Sequence, residues 1–248
     1  MMKKLWGLFF AAMLFLTSGA GETAGEIAHY PMRDGSGTQV KEARLRLPPG
    51  VIKRSFWTSR DGLPLVDFGG TENSAEACVI LPEINLEGAF TIAVWLNARQ
   101  WKNNWAGIVY RSDATYGLRG NAASPGRLHF RVKDPDDQRG SDLMSNTILD
   151  CGRWYHLAAV FKPGEFMKLY IDGKLDSAMT KRVPEKTAVD DQRLRLGGIG
   201  KKNYFSGNLT DLHLFNRALS EEEVAELYQS ENRFARDAGG ERHATGAK

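Results

Sequence analysis

Cysteine is scarce in this chain, with only Cys78 and Cys151 among 248 residues, which excludes a disulfide-dense mini-scaffold. Charge of one sign is missing too. Lys and Arg total 33 against 30 for Asp and Glu, a formal net charge of +3, and two of the positives, Lys3 and Lys4, sit in a segment expected to be removed. So even a balance does not track a phosphate backbone, and nucleic acid is not an expected partner. No hydrophobic run reaches the roughly 20 residues that a membrane span needs. The five histidines, His29, His129, His156, His213 and His243, show no metal-ligand spacing with one another or with cysteine, which argues against a zinc site. No Gly-x-Ser-x-Gly elbow occurs. The run Gly197-Gly-Ile-Gly200-Lys201-Lys202 lacks both the glycine at 195 and the Ser or Thr after lysine that a phosphate loop requires. What remains is an ordinary globular composition, 42% hydrophobic and 25% charged, long enough to bury about 70% of its unfolded surface in one core.

The N-terminus reads as a signal peptide. Lys3 and Lys4 precede an apolar run from Leu5 to Leu16, and the small residues Ser18-Gly19-Ala20 follow. Cleavage is expected after Ala20, leaving no membrane span. No cysteine follows the run, so no acylated lipoprotein anchor is expected. The mature chain is thus expected to be secreted, periplasmic or in the cell envelope. In an oxidising compartment Cys78 and Cys151 form a disulfide if the fold brings their Cα atoms within about 4.4–6.8 Å. Such a bridge would add about 4 kcal/mol in the chain-entropy model.

From residue 26 the dominant period is two, as in Phe90-Thr-Ile92-Ala-Val94-Trp-Leu96, where Phe90, Ile92, Val94 and Leu96 share one face. Trp154 to Phe161 is apolar on both parities, as a strand covered on both faces should be. Met167 to Leu175 places two strand-like arms around Asp172-Gly173, the pair that a type I′ hairpin turn demands. Further strands are expected at 26–32, 78–81, 107–111, 127–132, 194–196 and 209–215. Residues 36–75 read as loop-rich. One helix begins at Ser220, with Glu223 completing a capping box and Glu221, Glu222 and Glu223 favourably placed at the positive end of the dipole. Residues 232–248 carry no periodicity and read as a flexible tail. Many short strands with one terminal helix indicate an all-β, two-sheet antiparallel sandwich with the helix on an edge or end.

Four successive segments carry a family resemblance: Trp154 to Phe161, Leu169 to Leu175, Leu194 to Gly197, and Phe205 to Ser220 with its glutamate-rich helix. Tyr30 to Thr38 and Phe90 to Trp95 extend it. Together they resemble the laminin-G-like jelly-roll domains, which are similar to concanavalin A-like lectins and glucanases. The resemblance implies one jelly-roll domain over residues 26–231, between a signal peptide at 1–20 and the tail, and a binding function. Glucanases of this fold set paired carboxylates two to four residues apart on one strand. No Glu-x-Asp-x-x-Glu occurs here, and Glu72 with Glu76 or Glu83 with Glu87 lie in expected loops, so a non-catalytic module is the better reading. The resemblance also implies that Asp34 and Asp211 contribute to a structural calcium site. Asp34 as a plain turn-former is the simpler alternative.

The candidate ligand surface is Arg99-Gln-Trp101-Lys-Asn103-Asn104-Trp105, two indoles among polar side chains, bordered by Tyr110, Arg111, Asp113 and Tyr116. Aromatic planes flanked by Arg99, Asn103 and Asn104 suit the apolar faces and hydroxyl rims of sugars. The alternative places Trp105 in the core at the start of the next strand and Trp101 at the sandwich end. Carbohydrate is the expected partner, and a cell-surface protein the second.

Overall fold

The computed structural model describes residues 24–60, 62–69, 76–102, 105–136, 140–198 and 202–231; the expected signal peptide, the expected tail, Asn103 and Asn104 lie outside them. In chain order the strands begin with β1 (Glu26–Tyr30), β2 (Gln39–Val40), β3 (Gly50–Lys53), β4 (Phe56–Arg60), β5 (Leu63–Asp67) and β6 (Cys78–Ile80). They continue with β7 (Phe90–Gln100), β8 (Gly107–Tyr110), β9 (Tyr116–Gly120), β10 (Arg127–Val132) and β11 (Ser141–Ile148). The last are β12 (Trp154–Lys162), β13 (Phe166–Ile171), β14 (Lys174–Met179), β15 (Arg195–Gly197) and β16 (Ser206–Phe215), followed by helix α1 (Glu221–Ser230).

Two antiparallel sheets result. The first runs β14-β13-β12-β7-β16-β5-β4, with β1 also on β16; the second runs β11-β10-β9-β8-β15-β6-β3-β2. Phe90, Ile92, Val94 and Leu96 point between the sheets and meet Leu118, Leu128, Phe130 and Leu196 from the opposite side. This is the sandwich the alternation predicts. The other parity of the first sheet is also buried: Ala93, Ala158, Val160, Tyr170 and Phe215 pack under Leu219 and Val224, and Trp95 stacks on Tyr228 at 5.7 Å. The helix therefore lies on the outer face of the central strands and not at an edge or end, which is why β12 is apolar on both parities.

Residues 36–75 hold short strands between their loops. They supply β2 to β5, which form the margins of both sheets. Their alternation is weak because edge strands such as β4 keep exposed residues, Phe56 at 56%, and because prolines 48, 49 and 64 interrupt the pattern. The capping box on α1 is formed: Ser220 Oγ accepts the Glu223 amide at 3.2 Å, and the Ser220 amide reaches Glu223 Oε2 at 2.8 Å.

The β13–β14 hairpin turns on Asp172 and Gly173 with φ of 51° and 74°, the positive pair of a type I′ turn. A Cβ added to Gly173 would stand 3.0 Å from the Tyr228 ring. Gly173→Ala is therefore expected to lower stability by about 1–2 kcal/mol, from backbone strain and displacement of Tyr228. Urea unfolding of the variant against wild type measures it.

Candidate functional site

The outward face of the second sheet is polar and internally wired. In β10, Leu128, Phe130 and Val132 enter the core, so alternation turns His129 and Arg131 outward. Register sets Arg119 beside His129 and Asp142 beside Arg131. Arg119 Nε donates to His129 Nδ1 at 2.9 Å, His129 Nε2 meets Asp142 Oδ1 at 2.8 Å, and Arg119 reaches Asp113 at 2.8 Å. Trp105 caps this chain, its ring 4.5 Å from the Arg119 guanidinium carbon and 5.1 Å from His129. That geometry combines cation–π and ring contact.

Beside it Tyr110 lies across Gly117, whose absent Cβ would fall 2.3 Å from the ring. Only glycine there lets the phenol lie flat on the sheet. Burial, reinforced by the hydrogen bond to Asp113, pushes the Tyr110 hydroxyl well above its ordinary range. Burial works against ionisation of Asp113, but Tyr110 and Arg119 outweigh it and hold that carboxyl below its usual range. Asp142 is likewise lowered, because the His129 hydrogen bond outweighs burial. Tyr110 lines a cavity of about 290 Å³ with Ser112, Asp113, Gln192, Arg195 and Asn203. The Trp105 amide donates to Asn203 Oδ1 at 3.3 Å, so the indole and the cavity adjoin. A larger cavity of about 530 Å³ lies by Asp134, Arg182 and Glu185. Its buried carboxylate, Asp134, is already occupied by the amides of Asp136, Glu185 and Lys186 at 2.9–3.2 Å.

The sequence-chosen residues divide. Trp105 stands on this outer face, half-buried, and not in the core. Trp101 instead closes the sandwich, packed on Gly120 and 5.9 Å from Phe205. Arg99 is committed to Asp67 and to the Gly69 carbonyl, which removes it from the ligand surface. Tyr116 is fully buried against Phe90 at 5.1 Å; it is a core residue and no ligand contact. Arg119, Gln192, Arg195 and Asn203 played no part in the sequence reading, and His129 entered it only as a histidine without metal-ligand spacing, although the β10 alternation already pointed it outward.

Cys78 and Cys151 are both free, so the proximity on which a disulfide depended is not met in this structure. Cys78 is buried on β6 of the second sheet, opposite Gly197 and Lys53. Cys151 is exposed in the turn entering β12, where the next residue, Gly152, bonds to Ala98 of the first sheet.

The structure does not join Asp34 and Asp211. Asp34 accepts the Lys41 amide at 3.1 Å, whereas Asp211 is buried against Arg33 with His29 at 3.6 Å. Asp211 marks the point where β16 changes partner: Asn208 and Leu209 pair with β5, residues 212–215 with β1. Its φ of 47° forms that bend. Around it stands a cluster that linear spacing concealed. His29 lies opposite His213 in the β1–β16 register, and the rings stack at 3.8 Å. Glu26 and Glu231 bracket His213, and Glu26, His29 and His213, or His29, Asp211 and Glu231, place ligand-type atoms within 4.8 Å of one another. Calcium seeks six to eight oxygen ligands. Here two imidazoles and the Arg33 guanidinium occupy that space, and Arg33, Arg44 and His213 already match the three carboxylates. The donor set does not fit calcium.

The family model of the concanavalin A-like lectin/glucanases superfamily matches residues 72–225, and the chain belongs to that superfamily. No curated protein sequence matches it significantly. Among solved structures it is similar to the binding domain of Paraclostridial Mosquitocidal Protein 1, with a TM-score of 0.66 and 18% identity over 83% of this chain and 52% of that one. It is also similar to domain 4 of AbnA, a GH43 extracellular arabinanase from Geobacillus stearothermophilus in complex with arabinotriose. There the TM-score is 0.65 and the identity 16%, over 82% of this chain and 98% of that one. A third similar structure is the botulinum neurotoxin serotype D ligand binding domain in complex with N-acetylneuraminic acid (TM-score 0.64, 12% identity, 84% and 51%). The chain spans about half the length of the two toxin domains, and identities this low establish the fold alone.

Proposed function

We propose that this chain is an exported, non-catalytic carbohydrate-binding module whose ligand rests on the outer face of the second sheet, against Trp105 and the Tyr110–Asn203 cavity. The observation that carries the proposal is the convergence there of a half-buried indole, a buried phenol and several side-chain amides and charges. Sugars need this mixture of apolar plane and directional polar groups. Solved relatives of the fold in complex with arabinotriose and with N-acetylneuraminic acid support the ligand class by analogy. The two carboxylates on this face favour binding over hydrolysis. Asp113 and Asp142 are held ionised by their partners, the opposite of the raised proton donor that glycosidases use.

Trp105→Ala is expected to weaken glycan binding about tenfold or more, the scale of one stacking contact together with the Arg119 order it enforces. A glycan array run with full-length protein, with calcium and with chelator, measures it. Equal binding by the variant overturns the site. A second reading, a protein-interaction module of the cell envelope, is favoured by a different cavity of about 400 Å³, lined by Pro48, Pro49, Val51, Ile80, Leu81 and Pro82. Silence of the array in both conditions, with protein capture lost in Val51→Asp, selects that reading.

A further inference from the structure

The cavity beside Trp105 holds two arginines with opposite fates. Arg111 is spent: it donates to Asp190 at 2.9 Å, to the Ile84 carbonyl at 2.9 Å and to Asn85 at 2.7 Å. Arg119, at the rim, is spent on Asp113 and His129. Arg195 is different. It is half-buried on β15, directly opposite Tyr110 in the β15–β8 register, so both side chains leave the sheet on the same side. Arg195 lines the cavity, and its guanidinium makes no hydrogen bond or ion pair with another described side chain.

The neighbouring groups have the same polarity. Asn203 uses Oδ1 to accept the Trp105 amide, which leaves its Nδ2 as a donor without a described acceptor. Asp113, the carboxylate in the lining, is committed to Arg119 and Tyr110. The Ser112 hydroxyl is turned to Asp190. The cavity thus presents a planar, permanently charged donor fork and an amide donor, with its own carboxylate neutralised by another cation. Such an array matches two coplanar anionic oxygens, because a guanidinium binds carboxylate or sulfate through parallel N–H bonds.

From this geometry we infer that the sugar the module recognises is anionic, carrying a carboxylate or sulfate group that Arg195 and Asn203 bind in the cavity while the ring packs toward Trp105. The inference rests on the carbohydrate reading above and specifies its ligand class. Partial exposure of Arg195 makes the recognition sensitive to salt.

The test uses the full chain and four immobilised or soluble probes: polygalacturonate for carboxylate, dextran sulfate for sulfate, and dextran and arabinan as neutral polymers. Wild type is expected to bind one of the two anionic polymers at least about tenfold more tightly than either neutral one. Arg195→Gln is expected to remove that preference, and Arg195→Lys to restore part of it, since lysine keeps the charge and loses the fork. The polymer bound identifies whether carboxylate or sulfate is the source. Equal binding of neutral and anionic polymers overturns the inference and leaves the carbohydrate reading standing. Anionic binding that survives Arg195→Gln unchanged also overturns it, assigning the retention to general surface charge. Failure to bind any of the four overturns the inference, and a silent wider glycan array then overturns the carbohydrate reading with it.

Discussion

Replacing His213 with alanine is expected to cost about 3–5 kcal/mol of stability at pH 7, the range for breaking a buried ion pair from one side. The imidazole donates from Nδ1 to Glu26 at 2.6 Å and from Nε2 to Glu231 at 2.7 Å. Both nitrogens carry protons, so the ring is a cation. Burial alone would lower its pKa, but the hydrogen bonds to Glu231 and Glu26 outweigh burial and raise it to about 9. A raised folded pKa stabilises fully below the unfolded value of about 6.5 and is lost as pH climbs through 9, a window worth about 3 kcal/mol. Glu26 moves the other way. His213 and Arg44 overcome burial and lower its pKa, so its contribution is present at neutral pH and fades in acid. Without the ring, Glu26 keeps Arg44 at 2.7 Å and Glu231 keeps the Trp95 indole N–H at 3.1 Å, yet each loses its cation or strongest donor. The contacts tie β1, β16 and the end of α1 together, so α1 amides should also exchange faster. Denaturant unfolding at pH 7 and pH 10 checks the assignment: wild type should lose stability between them while His213→Ala stays level. A variant within 1 kcal/mol of wild type at pH 7 would refute it.

The strands near the centre of each sheet were legible because their alternation is enforced by burial. Phe90 to Leu96 and Leu128 to Val132 alternate because one face is core, and Asp172-Gly173 announces its turn because few other pairs tolerate two positive φ angles. Marginal strands such as β4 escaped, since little of that strand is buried and only Trp57 packs against the core, so burial imposes almost no alternation on it. The helix position escaped for a related reason. Apolar residues on both parities of β12 show that something covers the outer face, without showing what. Of the candidate site, Trp105, Tyr110 and Asp113 were legible as aromatic and polar residues near a strand end. His129 was legible in principle from β10, whose alternation turns it away from the core. Arg195 could not be singled out, because what distinguishes it from Arg111 is partnership, and the partners Ile84, Asn85 and Asp190 come from distant segments. The His29–His213 stack is more remote still, for its residues meet only through the β1–β16 register.

His156→Phe is expected to stabilise the protein, and to do so more in acid than at neutral pH. His156 is fully buried, held between Trp95 at 5.4 Å and Tyr228 at 5.9 Å, and neither ring nitrogen has a hydrogen-bond partner among the described residues. Each unpaired buried polar atom costs about 1–3 kcal/mol. Phenylalanine keeps an aromatic ring between its two neighbours and removes both atoms, so a gain of about 1–3 kcal/mol at pH 7 is expected, net of some repacking. The acid effect follows from the same burial. Desolvation, helped by the His213 cation and opposed by Asp211, lowers the His156 pKa to about 3. The unfolded chain therefore binds a proton below about 6.5 that the folded chain refuses until about 3, and each pH unit between them costs about 1.4 kcal/mol. At pH 4 the advantage of the variant should exceed its pH 7 value by about 3 kcal/mol. His156→Leu, smaller and equally apolar, should show the same pH-dependent gain with a lower baseline from the space it leaves. Urea midpoints at pH 7 and pH 4 for wild type and both variants decide the matter. A constant difference between the pH values would mean that His156 gains a proton in the folded state as readily as in the unfolded one.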